Sequence, residues 1–510
     1  MDLTAARVLL RSGLLGPARP DQLLGMALSV ARWGITPATG YAAGAARHPH
    51  RPAIIDDEGV LTWREVDRRT DRIAGALRQA GLREGDVVGL LARNGRGLVE
   101  SSVALAKCGA DVVYLHTGTS GEQLAAVLRR ERATAVICDD DLAGALTEAQ
   151  VPLRLTTAEL SGLAGQRSPR PLSKPGRTSR QVILTSGTTG APRGAARNGA
   201  SLEDAAAMLS RIPLRAGGTT LIAAPVFHAW GLGQLSLALL LGSTVVLQRT
   251  FDPERVLQAL QDHRATALVV VPVLLERLLA ADPGRYDLSA LTVIASSGSA
   301  LGGDLPARVE AAFGPVLHSL YGSTEVAYAA VARPDDLRAD PRTAGRAPHG
   351  VTLRVVDEAG RDAPPGEVGR IFVGSGLAFA GYTDGTDKDR LGPLVATGDL
   401  GRLDAGGRLT VLGRTDDMVV IGGENVFVGQ VEDALRTHPA VRDVSVVAMP
   451  DPVFGSRLLA YVVADGPVSE QELQDVVRTR LARIAAPREV IFVSDLPRNA
   501  AGKVLKRELR

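Results

Sequence analysis

The sequence predicts an α/β protein with a large N-terminal domain of parallel-rich sheets covered by helices, a β-rich subdomain, and a small α+β C-terminal domain. Short apolar strands alternate with amphipathic helices, as where Leu268–Val271 is followed by Val273–Ala281. That alternation is typical of βαβ units and of a mostly parallel sheet. From Thr352 to Leu412 the pattern changes to short strands separated by Gly, Pro and Asp turns, which predicts the β-rich subdomain.

Residues 1–45 are expected to form an N-terminal helical extension. Two short amphipathic helices are predicted there, near Leu3–Leu15 and Pro20–Trp33. Arginines and prolines interrupt the apolar stretch, so no cleavable signal peptide is expected. Two interpretations stay open at this point. The extension is either a helical arm packed on the body of the protein or a basic amphipathic face that contacts a membrane surface.

Residues 46–415 are expected to form the main domain, and one segment within it needs a separate interpretation. Val226–Gln248 has no charged side chain, and its length approaches that of a membrane span. It contains His228, Gln234 and several glycines and serines. We therefore interpret it as a buried helix followed by the strand Ser243–Leu247, and we predict no transmembrane segment.

Residues 416–510 are expected to form the C-terminal domain. Helices are predicted at Gln430–Thr437 and Ser469–Leu481, around the strands Val444–Ala448 and Leu458–Val463. A unit of about 90 residues is large enough to fold as a separate domain.

Composition excludes several classes of protein. Of the 510 residues, 45% are hydrophobic and 22% are charged, which is typical of globular proteins and not of disordered or fibrous ones. The net charge of +2 argues against a nucleic-acid partner. Two cysteines, Cys108 and Cys138, are too few for a disulfide framework in a chain of this length, so the cytoplasm is the expected location.

The most specific segment is the loop Thr185-Ser-Gly-Thr-Thr-Gly-Ala-Pro-Arg-Gly194, which follows the apolar run Val182–Leu184. Its glycines permit a tight loop, and its hydroxyl and backbone N–H groups can surround phosphate oxygens. The spacing is not that of a Walker A loop. The residues predicted to bind phosphate are Thr185, Ser186, Gly187, Thr188, Thr189, Gly190 and Arg193.

This loop resembles the phosphate-binding motif of the adenylate-forming superfamily, which includes acyl- and aryl-CoA synthetases. Five further segments resemble the family's other motifs and stand in the family's order: Tyr321-Gly-Ser-Thr-Glu325, Thr397-Gly-Asp399, Gly413-Arg414-Thr-Asp416-Asp417, Gly422-Gly-Glu-Asn425 and Pro497-Arg-Asn-Ala-Ala-Gly-Lys503. The resemblance implies ATP-dependent activation of a carboxylic acid as an acyl-adenylate, with release of pyrophosphate. Transfer of the acyl group to CoA then follows.

The resemblance also implies a role for each matching residue. Glu325 would be the carboxylate ligand of Mg²⁺, and Thr324 would hydrogen-bond the α-phosphate region. Asp399 would accept hydrogen bonds from the ribose hydroxyls, and Arg414 would reach the ribose or the phosphates. Tyr321 would stack on adenine. The remaining nucleotide-binding residues implied by the resemblance are Gly298, Ser299, Ala300, Gly322 and Ser323.

Two matching residues belong to the C-terminal domain, which is mobile in the family. Lys503 would approach the carboxylate and the bridging oxygen of the α-phosphate, for which a compact ammonium is suited. It reaches the site only when the small domain closes over it. Asp416 matches the hinge about which the domain rotates between the two half-reactions.

The acid substrate is expected to lie near His228. Pro225-Val-Phe-His228-Ala-Trp-Gly231 resembles a motif in which the histidine lines or gates the acyl pocket, although a packed core histidine is the alternative. Few charges occur in these segments, which favours an apolar carboxylic acid over an amino acid. Three positions depart from the family pattern: Arg193 stands where relatives often carry Lys, Val428 stands where they usually carry Pro, and Gly429 follows Val428.

The expected enzyme is therefore an acid–thiol ligase, an AMP-forming acyl-CoA synthetase. Its expected cofactors are ATP, Mg²⁺ and coenzyme A, and its expected partners are the carboxylic acid and CoA. In the alternative, the enzyme adenylates the acid and passes the acyl group to a carrier protein or a separate partner. The sequence leaves a homodimer open.

Overall fold

The structure is a computed structural model that describes residues 2–164, 172–185, 193–197, 201–379, 381–383, 385–415, 418–421, 424–451, 454–498 and 504–509. The α-helices of these residues are α1 (Leu3–Ser12), α2 (Pro20–Trp33), α3 (Pro37–Arg47), α4 (Trp63–Gln79), α5 (Arg96–Cys108), α6 (Gly121–Arg130), α7 (Thr157–Ala164), α8 (Leu202–Arg211), α9 (Ala229–Leu240), α10 (Pro253–Asp262), α11 (Pro272–Ala280), α12 (Leu305–Phe313), α13 (Pro334–Ala339), α14 (Val428–Arg436) and α15 (Glu470–Arg480).

The strands of the first two sheets are β1 (Pro52–Asp56), β2 (Gly59–Thr62), β3 (Val87–Leu91), β4 (Asp111–Tyr114), β5 (Ala135–Cys138), β6 (Leu153–Thr156), β7 (Gln181–Thr185), β8 (Arg193–Arg197), β9 (Thr219–Ile222), β10 (Thr244–Leu247), β11 (Ala267–Val270), β12 (Val293–Ser296), β13 (Leu317–Tyr321) and β14 (Ala330–Ala332). One sheet has the order β6-β5-β3-β4-β7-β8 and the other β14-β13-β12-β11-β9-β10-β1-β2. Their pairs are parallel except at the edge strands β8, β14 and β2. The predicted parallel-rich architecture is confirmed.

The remaining strands form antiparallel or mixed sheets. They are β15 (Thr352–Val356), β16 (Gly369–Gly374), β17 (Arg390–Leu391), β18 (Leu394–Leu403), β19 (Leu409–Arg414), β20 (Met418–Ile421), β21 (Glu424–Phe427), β22 (Val441–Asp451), β23 (Gly455–Ala464) and β24 (Glu489–Phe492). Strands β15 to β19 form the predicted β-rich subdomain, and β22, β23 and β24 pair beside α14 and α15. The predicted fold class is therefore confirmed.

One apolar core joins the two large sheets. Helices α3, α4, α5 and α9 contribute buried residues to it, together with residues of β3, β4 and β9. A second core, between the eight-stranded sheet and helices α10 to α12, covers that sheet's other face. The uncharged segment after Val226 forms α9 and then β10, as predicted. Among the described residues, no helix is long and apolar enough to cross a membrane.

The N-terminal helices pack on this body. Helices α1 and α2 lie in the two stretches where the sequence predicts amphipathic helices. Ala5 and Leu9 of α1 are buried against α8, and α2 packs on α3. A Cβ at Gly25 of α2 would lie 2.8 Å from the Cβ of Ala46, so the α2 and α3 backbones approach closely. The inner faces of both helices are therefore packed on the protein, as expected if the extension is a helical arm.

Both cysteines are buried and unpaired. Cys108 ends α5, and its Sγ lies 3.4 Å from the carbonyl oxygen of Ala74. Cys138 ends β5. Burial raises the pKa of each thiol to about 11, so both stay protonated at neutral pH.

Candidate active site

The candidate active site lies where the carboxyl ends of the two large sheets meet. Asn94, which follows β3, donates to the carbonyl oxygens of Ile222 and Ala224 at the end of β9, at 3.1 and 3.0 Å. Its own Oδ1 accepts from the N–H of Val226 at 2.8 Å. In open α/β sheets, ligands bind outside the carboxyl ends of the parallel strands. The sequence-predicted residues around β7, β9, β12 and β13 stand at this edge.

Tyr321, Asp399 and Arg414 form one hydrogen-bonded group. The Tyr321 hydroxyl donates to Asp399 Oδ2 at 2.5 Å, and Arg414 Nη1 lies 3.7 Å from Asp399 Oδ1. Asp399 and Arg414 face each other in the β18–β19 ladder, which explains why motifs 15 residues apart meet. The structure therefore brings together three predicted nucleotide-binding residues from two sheets.

Burial sets the protonation of this group. It raises the pKa of Asp399, against the opposing effects of the Tyr321 hydrogen bond and the Arg414 charge. Burial and the nearby Asp399 carboxylate raise the pKa of Tyr321 well above its ordinary value. The phenol consequently stays protonated and acts as a donor. Asp399 has a second oxygen, facing Arg414, with which it can accept from a polar ligand.

The turn after Tyr321 requires glycine. A Cβ at Gly322 would lie 2.2 Å from the carbonyl oxygen of Ala327, which itself has a left-handed backbone with φ of 62°. This close approach folds Ser323 and Thr324 back beside the strand end, where both are half-buried. Gly298, Ser299 and Ala300 follow the neighbouring strand β12 and are exposed. The predicted adenine-binding segments thus stand side by side at the carboxyl ends of β12 and β13.

Glu325 is buried and held as an anion. The Tyr382 hydroxyl donates to Glu325 Oε1 at 2.5 Å, and the backbone N–H of Glu325 donates to Ser323 Oγ at 3.2 Å. Burial acts to raise the pKa of Glu325, but hydrogen bonds from Tyr382 and Ser323 and the charge of Lys388 outweigh it. The net result is a pKa below the ordinary value.

This environment suits a magnesium ion. Mg²⁺ is usually bound by one or two carboxylates together with substrate phosphates and water. The single anionic carboxylate of Glu325 provides one such ligand. Among the described residues, no cluster of three or more metal-ligating side chains occurs, so the ion would need the phosphates as further ligands.

Arg193 and Tyr382 connect Glu325 to the strand that follows the predicted phosphate loop. The Arg193 guanidinium lies 5.5 Å from the centre of the Tyr382 ring. Tyr382 bridges to Ala195 of β8, and the N–H of Thr383 donates to the carbonyl oxygen of Gly194 at 2.8 Å. The segment around Tyr382 therefore fixes the outgoing end of the loop beside the carboxylate.

Several predicted site residues lie outside the described residues: Ser186, Gly187, Thr188, Thr189, Gly190, Asp416 and Lys503. Thr185 is described as the last residue of β7, paired with Arg193 of β8. The roles predicted for all of these residues stay predictions.

His228 packs against a second histidine, with the two rings tilted by 59°. It precedes α9 as its N-cap residue, and its ring centre lies 4.3 Å from that of His116, which follows β4. Phe227 packs against both rings. Within the described part of the chain, Nε2 of each histidine has no hydrogen-bond partner. Burial lowers the pKa of His228 to about 3 and that of His116 to about 4, so both imidazoles are neutral at physiological pH.

Three functional candidates were missed from the sequence: Tyr382, Asn94 and His116. Asn94 and His116 follow the ends of strands β3 and β4, and Thr185 likewise ends β7, so the same rule about strand ends could have selected them. No strand end in the sequence points to Tyr382, because it lies between irregular segments.

Comparisons with known proteins give an independent view of this chain. The family model described as AMP-binding enzyme matches residues 41–383, and the model described as AMP-binding enzyme C-terminal domain matches residues 430–503. A feruloyl-CoA synthase from an Amycolatopsis species is 32% identical over 478 residues, covering 91% of this chain and 96% of the relative. A fatty acid–[acyl-carrier-protein] ligase, ScoC, from Streptomyces coeruleorubidus is 29% identical over 489 residues, covering 91% and 94%.

A solved structure matches most of this architecture. It is the o-succinylbenzoate CoA synthetase from Bacillus subtilis in complex with its acyl-adenylate intermediate. The TM-score is 0.84 at 26% sequence identity, and the match covers 92% of this chain and 97% of that one.

Proposed function

The chain belongs to the AMP-binding enzyme family, and on this premise we propose that it activates an apolar carboxylic acid with ATP and transfers the acyl group to CoA. The comparisons confirm the expected class of enzyme, an AMP-forming acid–thiol ligase, and the expected cofactors ATP, Mg²⁺ and CoA. The observation that carries the proposal is the group of Tyr321, Asp399 and Arg414 beside the buried anion Glu325.

The proposed first step joins a carboxylate to the α-phosphate of ATP and releases pyrophosphate. Two anions must approach each other, so catalysis depends on positioning and on cationic groups. Asp399 would hold the ribose, Tyr321 and the segment Gly298–Ala300 would hold adenine, and Arg414 would face the ribose or phosphates. Glu325 would hold Mg²⁺, which supplies positive charge to the phosphate oxygens when bound.

The phosphate loop and the terminal lysine complete the proposed site. The loop residues Ser186 to Gly190 would surround phosphate oxygens with hydroxyl and N–H groups. Lys503 would stabilise charge on the carboxylate and on the bridging oxygen. The proposal for these residues rests on their match to the family motifs.

The acid would bind beside the pair of neutral histidines. Both rings are uncharged and contact Phe227. These side chains therefore provide no opposite charge that could pair with a second charged group on the substrate. Neutral, largely buried imidazoles are compatible with an apolar acid. The exposed Gly233 of α9 has no side chain that would occupy space beside them. We therefore propose an apolar acid and assign His228 and His116 to its pocket.

The second step has an alternative acceptor. ScoC, to which this chain is similar, is named as a ligase for an acyl carrier protein, which favours a carrier protein as the second candidate.

Val428, where the family usually carries Pro, is the first residue of α14 and is buried in the C-terminal core. Because the first helical position is where Pro is best tolerated, Val can occupy it without changing the helix. This substitution therefore does not disfavour CoA.

We also propose the domain division expected from the sequence: a helical extension over 1–45, an adenylation domain over 46–415 with the ATP and acyl pockets, and a mobile domain over 416–510 that turns about Asp416. The two family models, which end and begin at residues 383 and 430, support it. The cytoplasm stays the proposed location on the evidence of two buried unpaired cysteines.

Pyrophosphate release tests the proposed function directly. The full chain would be assayed with ATP and Mg²⁺ against short, long, aromatic and polycyclic acids, with and without CoA. Release with at least one acid and formation of its CoA thioester are expected. Release without any thioester would favour the carrier-protein alternative, and no release with any acid would contradict the proposal.

Lys503→Ala should slow adenylation roughly a hundredfold or more, because a lost transition-state donor costs about 3 kcal/mol. Lys506→Ala is the matched control. Lys506 pairs with Glu432 at 2.9 Å and should be dispensable for adenylation. An alanine variant at 503 that adenylates at the wild-type rate would remove the assignment.

A further inference from the structure

Exposed apolar side chains are concentrated in the N-terminal helices. The described residues include 14 large hydrophobic side chains that are exposed, and eight of them lie between residues 3 and 35. These eight are Leu3, Leu10, Leu15, Leu23, Leu24, Leu28, Val30 and Ile35. Scattered single leucines on a surface need no explanation, but a concentration in one short segment indicates an interaction site.

The exposed residues of α2 form a continuous stripe. Leu23, Leu24, Ala27, Leu28 and Ala31 are all exposed, and their spacing places them on one side of the helix. The opposite side is fixed on the body: Ser29 and Trp33 are buried, and the Gln22 side chain donates to the carbonyl oxygen of Arg47 at 2.9 Å. The stripe therefore faces outward in a defined orientation.

Helix α1 adds a second apolar face that contains basic residues. Leu3, Arg7 and Leu10 are exposed and spaced by four and three residues, so they share one side of α1. Arg11 is also exposed, next to Leu10. The buried side, with Ala5 and Leu9, contacts α8. Leucines and guanidinium groups thus alternate on the outer surface of this helix.

The N-terminal segment carries an excess of basic residues. Residues 1–45 contain four arginines and two aspartates, a net charge of +2, which equals the net charge of the complete chain. Both aspartates have partners: Asp2 contacts His349 at 2.9 Å, and Asp21 pairs with Arg19 at 3.0 Å. The outer surface is therefore both apolar and cationic, which is the pattern of helices that lie on anionic membranes.

We propose that the outer faces of α1 and α2 bind the surface of an anionic lipid bilayer, with the leucines in the interface and Arg7 and Arg11 toward the lipid headgroups. A second copy of the chain fits this surface less well, because a symmetric contact would bring two segments of net positive charge together. An anionic bilayer is complementary to both the apolar stripe and the charge.

Vesicle sedimentation of the full chain tests this proposal. The protein should sediment with vesicles of phosphatidylcholine mixed with phosphatidylglycerol, and much less with phosphatidylcholine alone. Because burying one leucine is worth roughly a tenfold change in an equilibrium constant, the double variant Leu24→Glu, Leu28→Glu should lower the partition coefficient about a hundredfold. Arg7→Gln with Arg11→Gln should lower it roughly twentyfold on anionic vesicles and hardly at all on neutral ones.

The matched control is Val368→Glu with Leu481→Glu, which changes two exposed apolar residues outside the N-terminal segment and should leave vesicle binding unchanged. Circular dichroism and thermal unfolding check that each variant is folded. A wild-type chain that does not sediment with anionic vesicles overturns the proposal, and so does equal loss in the control. The wild-type chain could instead form a dimer and bind no vesicles. If the double variant Leu24→Glu, Leu28→Glu were then monomeric, a second copy of the chain would cover this surface.

Discussion

Tyr382 is the residue through which three parts of the candidate site are connected. Its hydroxyl donates to Glu325, its ring lies beneath the Arg193 guanidinium, and its backbone bridges to β8. We interpret it as a positioning residue for Glu325, because its hydroxyl holds one of the two carboxylate oxygens. The pKa of Glu325 depends on this hydrogen bond.

Tyr382→Phe should therefore slow adenylation by roughly tenfold to a hundredfold, since a hydrogen bond to a charged group contributes about 1.5–3 kcal/mol. Without the phenol the pKa of Glu325 rises, so the acid side of the pH–rate profile should move to higher pH. Pyrophosphate release measured from pH 5 to pH 8 would show it. The control is Tyr286→Phe, a half-buried tyrosine in the core near α10 to α12. An unchanged acid side in Tyr382→Phe would refute the positioning role.

At the scale of secondary structure, helix α9 contains two glycines in very different environments. A Cβ at Gly231 would lie 2.3 Å from the carbonyl oxygen of Pro225, whereas a Cβ at Gly233 would meet nothing within 4 Å. The first turn of α9 thus packs directly on the backbone that leads to His228. Gly231 is therefore needed for the close packing of α9 on the backbone before His228, and Gly233 is not.

Gly231→Ala should destabilise the protein by about 1–3 kcal/mol, as expected when a well-packed core must accept an extra methyl group. It should also raise the KM for the acid, because His228 has to move. Gly233→Ala in the same helix should be neutral or stabilising by up to about 1 kcal/mol, through its helix propensity. Thermal unfolding and acid titration of both variants would check this, and equal behaviour of the two would contradict it.

These elements also show what could be predicted from the sequence. The pair β11 and α11 was predictable because apolar periodicity is local, and Tyr321, Asp399 and Arg414 were predictable because each lies in a motif with its own spacing. The place of Asn94 after an apolar strand was visible in the sequence, but its role was not, because its three hydrogen bonds go to backbone groups about 130 residues away. Tyr382 was not predictable, because the carboxylate it binds lies 57 residues earlier in the chain. Contacts between distant segments carry no local pattern.

Three buried histidines with lowered pKa values make the stability of the whole molecule dependent on pH. Burial lowers the pKa of His116 and His318 to about 4 and that of His228 to about 3. In the unfolded chain these side chains would bind protons near pH 6.5. The unfolded state therefore takes up more protons than the folded state between about pH 6.5 and pH 4, and the folded state loses stability as the pH falls through that window.

We expect the urea concentration at half-unfolding to fall between pH 6.5 and pH 5, a range above the titration of ordinary carboxylates. Each histidine should remove on the order of 1.4 kcal/mol per pH unit there. His318 lies outside the candidate site and contacts the carbonyl oxygen of Val316 at 3.0 Å, so His318→Gln should flatten the dependence without changing the acid pocket. A wild-type chain more stable at pH 5 than at pH 6.5 would show that the sign is wrong.

The two buried cysteines make the chain suitable for site-specific fluorescent labelling. Because both thiols are buried and protonated at neutral pH, maleimide dyes have no native target that competes with an introduced cysteine. One new cysteine in each of the two family-matched regions could then be labelled without altering the native sequence further. Energy transfer between the dyes would test the proposed rotation of the terminal domain in real time, with ATP, acid and acceptor added in turn.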